Sequence, residues 1–486
     1  MYPQKEFLAM LIRQDQRRYN RRHFKKPRKR PLPYVKQKMK TFLAMFFETS
    51  SIHGLSHLVA AGRHPCEIFL WLTMVIISVC GTLYLSSATW ERYQSSPTVV
   101  SMERDMLAWN TTFPCVTLCP EVKIDYMKLE RYVEKSNVED KEALRNFIKA
   151  LANATYDNFD TVPHYDGIKS DDYLDLLLDL SALFKPTLTT STSGFDLQIM
   201  PTITEMGLCY SINSKVAVYN SPEYRRANRW DTVVNKNPVF FVHPLDGEVF
   251  AQVNITSSYS GTLHGPMEVP DITSKLHHSP EKMYMTLYVK TISVYTSPEA
   301  ASLSVAQRRC RFQHENNLKH NSIYTYNMCR IDCRIRLCLQ YCQCIPHFYR
   351  RIDNEQICDV SGLHCLHKHR DLISDLIDES GKKVENCSCF PVCDDVNYIT
   401  DTYELQSWVI ATTTLQWGMV TFPRTRYKRD IIFGYSDVLV AVGGMAGLFL
   451  GCSVISFIEI SYFFTLRLFF YARDNLGKST PSIVKH

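Results

Sequence analysis

One apolar segment near the C-terminus combines residues that could coordinate a cation. It reads GLFLGCSVISFIEISYFF from Gly447 to Phe464 and contains the triplet Gly451-Cys452-Ser453 and one carboxylate, Glu459. Glycine lets a helix unwind, and the carbonyl groups released in this way can replace the hydration shell of an ion. A carboxylate within a membrane span costs roughly 2.5–3.5 kcal/mol, so Glu459 is expected to face water or a partner.

The same residues allow two other interpretations. Gly443, Gly447 and Gly451 recur every four residues, which is the spacing for close packing of membrane helices. Glu459 could instead extend to the inner membrane interface, with Arg467 two turns further on as its partner. Helix packing explains the glycines but not the carboxylate.

This segment belongs to the second of two apolar stretches. Residues 68–88 carry no charge, and residues 438–466 carry only Glu459. About 20 apolar residues suffice to span a bilayer, and the second stretch is long enough to tilt or to contain a break. Some 65 residues precede the first stretch, too many for a cleaved signal peptide, so it is expected to be a retained anchor.

Charge predicts the topology. Residues 1–65 carry 15 Lys and Arg residues against three acidic residues, and the tail after Leu466 is also basic. The positive-inside rule therefore places both ends in the cytoplasm. The predicted organisation is a basic cytoplasmic region (1–65), a first transmembrane helix (66–90), an extracellular domain (91–436), a second transmembrane helix (437–466) and a cytoplasmic tail (467–486).

The long central region carries the marks of an oxidising compartment. It holds 14 of the 17 cysteines, which predicts disulfides. It also holds all four glycosylation sequons, at Asn110, Asn153, Asn254 and Asn386. Strand patterns at 113–120 and 282–295, and helix patterns at 139–154 and 170–184, predict a mixed α/β domain.

Several short motifs follow one another in a characteristic order. They are HG (53–54), FPCVTLC (113–119), GLCYSIN (207–213), CRIDCRIRLCLQYCQC (329–344), CSCFPVC (387–393) and GGMAGLFLGCSVISFIEI (443–460). In this order, and with two spans, they resemble the degenerin/epithelial sodium channel family, most closely its arthropod pickpocket branch.

The resemblance implies a fold and a set of site residues. The fold is a trimer of two-span subunits, each with a large disulfide-rich α/β extracellular domain. Matched positions imply a selectivity filter at Gly451, Cys452 and Ser453. They further imply pore and gating residues at Val440, Gly443, Gly444, Gly447 and Glu459, and at His53 and Gly54 before the first span.

One position departs from the family pattern. The family often has a small residue and then an acid before the paired glycines, where this chain has Val440 and Ala441. Bulk at the first position is associated in the family with an open state. Loss of the acid affects cation attraction and amiloride sensitivity, although Asp437 lies one turn outward.

The resemblance also implies disulfide pairs. They are Cys119–Cys209, Cys310–Cys393, Cys329–Cys389, Cys333–Cys387, Cys342–Cys365 and Cys344–Cys358. Cys115 and Cys338 have no counterpart in the acid-sensing branch and are paired here only by elimination. A zinc site at His364, Cys365, His367 and His369 is the alternative for GLHCLHKH, but Cys365 is expected in a disulfide. Exposed loop histidines are therefore predicted there, and neither a metal nor a cofactor.

The sequence thus predicts a subunit of a plasma-membrane, cation-selective, sodium-permeable and amiloride-sensitive channel, gated through its extracellular domain. The expected partners are Na⁺, related subunits in a homo- or heterotrimer, and membrane lipid. No nucleophile elbow, zinc-protease motif or phosphate loop is present, so an enzyme is not predicted. The spans argue against a nucleic-acid partner for the basic arm. The alternative is a non-conducting two-span receptor, adhesion protein or accessory subunit.

Overall fold

The computed structural model describes residues 34–191, 197–231, 239–352, 354–377, 387–410, 412–419 and 421–477. The sequon at Asn386, most of the basic arm and the end of the tail lie outside these residues. The chain forms two compact units. One comprises residues 1–91 and 435–486, and the other comprises residues 92–434.

The first unit is helical. Its helices are α1 (Tyr34–Thr49), α2 (Leu55–Val59), α3 (Pro65–Ser95, which runs on into the second unit), and, after the second unit, α13 (Tyr435–Leu450), α14 (Val454–Tyr462), a π-helical turn (Phe463–Arg467) and α15 (Leu468–Gly477). The helices of the second unit are α4 (Tyr126–Lys135), α5 (Lys141–Ala152), α6 (Tyr173–Asp179), α7 (Pro222–Arg226), α8 (Pro298–Ala301), α9 (Val305–Arg308), α10 (Tyr326–Cys342), α11 (Val360–Lys368) and α12 (Arg370–Asp375).

The strands all lie in the second unit. They are β1 (Thr98–Glu103), β2 (Thr111–Thr112), β3 (Cys115–Pro120), β4 (Thr187–Thr190), β5 (Ile199–Thr204), β6 (Gly207–Ile212), β7 (Phe241–Val242), β8 (Val249–Ile255), β9 (Tyr259–His264), β10 (His277–Ser279), β11 (Met283–Thr296), β12 (Cys344–Ile345), β13 (Gln356–Ile357), β14 (Asp395–Ser407), β15 (Thr413–Met419) and β16 (Arg426–Ile431).

Two larger sheets build the second unit. The first runs β1-β16-β11-β15-β8-β4, with β14 added on β11, and the second runs β10-β9-β3-β6-β5. Strand β11 is the hub of the first sheet, because it pairs antiparallel with β14 and parallel with β15 and β16. Its alternating apolar residues Met285, Leu287 and Val289 are buried, so the strand predicted over 282–295 is confirmed.

One apolar core lies between these sheets. Val116, Leu118 and Ile212 of the second sheet belong to the same buried cluster as Leu415 and Trp417 of the first. The Trp417 indole donates a hydrogen bond to the Pro114 carbonyl at 3.0 Å, which satisfies its polar end. The FPCVTLC motif therefore forms the centre of this core.

A second core joins the helices. Helix α5 confirms the helix predicted over 139–154, and Asp140 caps it by accepting hydrogen bonds from the N–H groups of Glu142 and Ala143. The helix predicted over 170–184 is too long, since α6 ends at Asp179. After Asp179 the chain leaves the helix and pairs with the segment that follows β3. The Ala182 N–H donates to the Lys123 carbonyl of that segment at 3.1 Å. A tertiary contact ends this helix, and no helix-stop residue marks the place.

Six disulfides link the second unit. They join Cys119–Cys209, Cys310–Cys393, Cys329–Cys389, Cys333–Cys387, Cys342–Cys365 and Cys344–Cys358. These are the six pairs that the resemblance implied. Three of them start on α10, and they tie this helix to Cys365 on α11 and to Cys387 and Cys389 in the loop before β14.

The seventh pairing, Cys115–Cys338, is wrong. Both residues are buried free thiols in different surroundings. The Cys115 thiol, on strand β3 of the five-stranded sheet, contacts the Asn213 carbonyl at 2.9 Å. Cys338 lies in the helical core, where its sulfur is 3.4 Å from the Tyr156 hydroxyl. An even count of cysteines does not require that every one be oxidised.

The histidines of GLHCLHKH lie on helix α11 and at its end, and the prediction of a loop is wrong. Cys365 is oxidised with Cys342. The imidazoles of His364 and His367 hydrogen-bond to the carbonyls of Val162 and Tyr156, at 3.0 and 3.1 Å. Within the described ranges no group of three or more His, Cys, Asp or Glu residues could hold a metal.

A buried ion cluster connects α10 with the neighbouring loops. Arg334 is fully buried, and its guanidinium contacts the carboxylates of Glu205 and Asp271 at 3.0 Å each. The Tyr349 hydroxyl also donates to Glu205. Removing one partner of such a cluster leaves buried charges uncompensated.

We predict that Arg334→Met lowers the free energy of unfolding by about 3–5 kcal/mol. The measurement is thermal unfolding of the purified full-length protein in detergent. The matched control is Arg336→Met, because Arg336 is 46% exposed and its ion pair with Asp332 spans 3.8 Å, so a loss of about 1 kcal/mol or less is expected. Equal losses in both variants would contradict the role of the buried cluster.

A second stability prediction concerns Glu268, which accepts hydrogen bonds from the N–H groups of Tyr326 and Asn327 at the start of α10. Burial and the nearby Asp395 raise the pKa of Glu268 to about 8. When folding raises the pKa of a carboxyl group, the group's contribution to stability is fully present at pH values below its pKa in the unfolded chain. This contribution is lost as the pH rises through its pKa in the folded protein.

Ionisation of Glu268 should therefore lower the free energy of unfolding by roughly 2 kcal/mol between pH 6 and pH 9. Glu268→Gln should remove that part of the pH dependence, as measured by thermal unfolding across this range. Glu281→Gln, at an exposed turn position, is the control and should keep the wild-type profile. An unchanged profile in Glu268→Gln would disprove the assignment.

Candidate functional site

The candidate site lies in the first unit, between helices that are long and apolar enough to cross a membrane. These helices span Pro65–Ser95 and Val454–Arg473, and the shorter apolar helix Tyr435–Leu450 precedes the second. A contact joins the two apolar segments, since a Cβ placed on Gly81 of α3 would lie 3.5 Å from the Phe449 ring of α13.

The second apolar segment is not one helix. Helix α13 ends at Leu450 and α14 begins at Val454, so Gly451, Cys452 and Ser453 are non-helical. Gly451 has a φ of +64°, and its N–H donates to the Gly447 carbonyl at 2.9 Å, which together form a left-handed helix C-cap. Ser453 then caps α14 through Ser456. Glycine followed by serine therefore ends one helix and starts another within three residues.

The predicted gating pair lies directly against this break. The His53 N–H donates to the Leu450 carbonyl at 3.0 Å, so it takes up one of the carbonyls that the end of α13 releases. A Cβ on Gly451 would lie 1.5 Å from the His53 Nδ1 atom. Gly451 is thus required twice, once for its φ and once for the space that His53 occupies.

Gly54 holds the same segment against the first apolar helix. Its φ is +88°, and a Cβ at this position would lie 2.8 Å from the Val75 Cγ2 atom of α3. The structure therefore brings together the HG motif and the Gly-Cys-Ser triplet, which are almost 400 residues apart in the sequence.

Glu459 also faces this segment. The Ser51 hydroxyl donates to Glu459 Oε2 at 2.7 Å and lies 2.9 Å from the Ser456 hydroxyl. The alternative partner Arg467 instead stacks on the Phe463 ring and contacts the Met45 sulfur. Glu459 thus has a hydroxyl partner beside the break, and no ion pair with Arg467 exists among the described residues.

The other predicted pore residues occupy an open face of α13. Val440 is 74% exposed. A Cβ on Gly443 or Gly444 would meet no described atom within 4 Å, and one on Gly447 would meet only the Cys452 carbonyl at 3.6 Å. Among the described residues of one chain, this face of α13 therefore packs against no other helix.

Sequence reasoning missed the packing of α1 against the π-helical turn that follows α14. Phe42 and Phe46 of α1 bury Phe463, with ring centroids 5.6 and 5.1 Å apart. The spacing of four residues between two phenylalanines in KTFLAMFF is the signal that could have shown this amphipathic helix. Ser51 was missed too, because a lone serine has no pattern of its own.

The arrangement can offer oxygen ligands to a cation. Backbone that is not helical at membrane depth is tolerated where it is buried in protein or lines an aqueous path. Carbonyls of the break, the Ser453 hydroxyl and the Glu459 carboxylate are all hard oxygen donors, of the kind that alkali and alkaline-earth cations prefer. Several copies of the break around one axis would form a ring of such donors.

Comparison with known proteins agrees with these features. The family model described as amiloride-sensitive sodium channel matches residues 46–463. Sodium channel protein Nach of Drosophila melanogaster is 21% identical over 470 residues, covering 87% of this chain and 86% of that protein. Pickpocket protein 28 of the same species is 21% identical, with 88% and 79% covered.

A vertebrate relative is equally distant. The bile acid-sensitive ion channel of Mus musculus is 21% identical over 482 residues, and 90% of each chain is covered. The matched region includes the first apolar segment, the disulfide-linked second unit, the helix break and the second apolar segment up to Phe463. The chain is therefore a member of the amiloride-sensitive sodium channel family, among whose relatives are the Drosophila pickpocket and Nach proteins.

Proposed function

We propose that this chain is a subunit of a cation-selective, sodium-permeable channel of the plasma membrane, sensitive to amiloride and gated through its second unit. The observation that carries the proposal is the helix break at Gly451–Ser453, closed on one side by His53 and followed by Glu459. A receptor or adhesion protein needs a continuous span and has no use for such a break.

The permeation path is proposed to form between three subunits. The open face of α13 with Val440, Gly443 and Gly444 is available for a neighbouring subunit or for water. Three copies of the break would surround one axis with carbonyl and hydroxyl oxygens, and three copies of Glu459 would attract cations to it. Gly451, Cys452 and Ser453 form the proposed filter of this pore.

Both termini are proposed to be cytoplasmic and residues 92–434 extracellular. The disulfides of the second unit are consistent with an oxidising compartment. The side chains of Asn110 and Asn153 are exposed, and the Asn153 amide nitrogen donates to the Lys149 carbonyl at 3.1 Å. The Asn254 side chain instead lies on β8, where its oxygen accepts a hydrogen bond from Thr414 at 2.8 Å.

Gating is proposed to follow from a change in the second unit that is transmitted through the two chain crossings near residues 91 and 435. Any stimulus can shift the open population only by its differential affinity for the two states. The coupling within the first unit is proposed to act through residues 51–54, because this segment contacts both the break and Glu459.

The first prediction for the pore concerns Ser453. Expressed in frog oocytes, the wild-type chain should pass an amiloride-sensitive Na⁺ current, and Ser453→Ala should change the ratio of Na⁺ to K⁺ permeability. The reason is that Ser453 supplies a hydroxyl and the cap of α14. Surface biotinylation measures expression in parallel.

The control for this experiment is Ser461→Ala on α14, because the Ser461 hydroxyl donates to the Phe457 carbonyl within its own helix. It should leave selectivity unchanged. If the chain needs a related subunit, co-expression supplies it. If the chain reaches the cell surface but passes no current, alone or with related subunits, the result would favour the alternative of a non-conducting receptor or accessory subunit.

The second prediction concerns gating. Ser51→Ala removes one hydrogen bond to the Glu459 carboxylate and one contact to Ser456. A hydrogen bond to a charged group is worth about 1.5–3 kcal/mol, so the ratio of open to closed channels should shift roughly tenfold or more. Single-channel recording measures this ratio, with Ser461→Ala again as the control. An unchanged open probability would show that the Ser51–Glu459 contact does not differ between the two states.

A further inference from the structure

A cleft in the second unit has features that the proposed pore does not use. It lies where helix α6 meets the edge of the five-stranded sheet, and it has a volume of about 50 Å³. Its walls are mainly apolar and include Ala154, Leu177 and Leu178 on the helical side and Leu208 on β6. Two nitrogen-bearing side chains, Lys123 and His347, also line the cleft, together with the hydroxyl-bearing Ser181 and Tyr210.

Lys123 brings an unpaired positive charge into this apolar cleft. Its backbone is fixed, since the Lys123 carbonyl accepts a hydrogen bond from the Ala182 N–H at 3.1 Å. In the described part of the chain, its ammonium forms neither a hydrogen bond nor an ion pair. Burial lowers the pKa of Lys123 to about 8, so the group is still mostly charged at neutral pH.

An ammonium in such a place is costly. The Lys123 side chain is half-buried, and a charge that is removed from water without a partner is unfavourable, since buried charges are normally paired. No aspartate or glutamate is among the residues that line the cleft. The charge of Lys123 is therefore uncompensated within the described chain, which indicates an anion that comes from outside.

His347 supplies a second donor in the same place. Its side chain is 7% exposed, and its Nδ1 atom is buried with no hydrogen-bond partner in the described structure. Burial and the neighbouring charge of Lys123 lower the pKa of His347 to about 4, so the imidazole is neutral at pH 7. A neutral imidazole can donate one hydrogen bond to an anion without adding a second charge.

We propose that this cleft binds a small organic monocarboxylate with a short hydrocarbon chain, of the size of propionate or butyrate. The carboxylate pairs with the Lys123 ammonium and accepts a hydrogen bond from His347. The hydrocarbon chain lies against the alanine and leucine side chains of the wall. The volume has room for about four water-sized groups, which sets the upper limit on chain length.

The position of the cleft gives such binding a structural consequence. One wall belongs to α6 in the helical core, and the other belongs to β5 and β6 of the five-stranded sheet. A ligand held between them links two parts of the second unit that no disulfide joins directly at this point, since Cys119–Cys209 lies within the sheet. Binding therefore favours any arrangement of the unit in which these walls are close.

The test measures binding directly, so its result is independent of whether the chain conducts. Saturation-transfer NMR of butyrate is recorded with the purified full-length protein in detergent. A dissociation constant in the millimolar range is expected for a ligand with so few atoms. Lys123→Met should weaken binding at least about tenfold, and Lys123→Arg should retain most of it.

The matched control is Lys135→Met, since Lys135 is exposed at the end of α4 and away from the cleft. It should bind butyrate like the wild type. A second variant, Ala182→Phe, fills the cleft without changing its charge and should also abolish binding. Thermal unfolding without ligand checks that each variant is folded.

Three ligand controls complete the test. Butyramide and butylamine keep the hydrocarbon chain but lack the negative charge, and chloride keeps the charge but lacks the chain. The proposal expects weak or no binding of all three. The proposal would be overturned if butyrate bound equally well to wild type and Lys123→Met, or if butyramide bound as well as butyrate. It would also be overturned if equimolar chloride displaced butyrate, or if no butyrate signal appeared at a butyrate concentration about 20 times the expected dissociation constant.

Discussion

The first unit depends on the left-handed backbone of Gly451. This φ of +64° ends α13 within an apolar segment and leaves carbonyl groups of the last helical turn without intrahelical partners, so they need other hydrogen-bond donors. The His53 N–H meets that need by binding the Leu450 carbonyl, and the absence of a side chain on Gly451 leaves room for the imidazole. The helix break and the segment before the first span therefore require one another.

The carboxylate that follows the break belongs to the same arrangement. Glu459 lies on α14, whose start is set by Ser453, and its oxygen is held by the Ser51 hydroxyl. A charge in an apolar helix is costly unless it has a polar partner. Here the partner comes from the same short segment that closes the break. A movement of residues 51–54 would therefore alter both the hydrogen bond to the backbone of the break and the hydrogen bond to the Glu459 carboxylate. This is a physical basis for coupling between the two.

The second unit achieves its rigidity differently. The two sheets share an apolar core around Trp417, whereas the helical part combines a core with disulfides on α10 and the buried charge of Arg334. Three disulfides and the buried Arg334 lie on α10, whereas Cys344–Cys358 joins β12 to the segment after β13. The cleft beside Lys123 lies where the helical core meets the five-stranded sheet, and among the described residues no ion pair compensates the Lys123 ammonium there.

Local patterns in the sequence determined much of this protein. Apolar length identifies the two spans, alternation identifies β11, and glycine followed by serine marks the place where α13 ends and α14 begins. Ordered motifs identify the family and, through it, six cysteine pairs. These features depend on neighbours in the sequence or on a spacing shared with relatives. They could therefore be inferred before any fold was known.

Tertiary structure alone decided the remaining features, because they depend on contacts between distant residues. The pairing of Ser51 with Glu459, the placement of His53 against Gly451 and the early end of α6 at Asp179 leave no periodic signal in the sequence. The reduced state of Cys115 and the uncompensated charge of Lys123 belong to the same class. In each case the chemistry of one side chain is set by what the fold places around it, and composition and spacing do not carry that information.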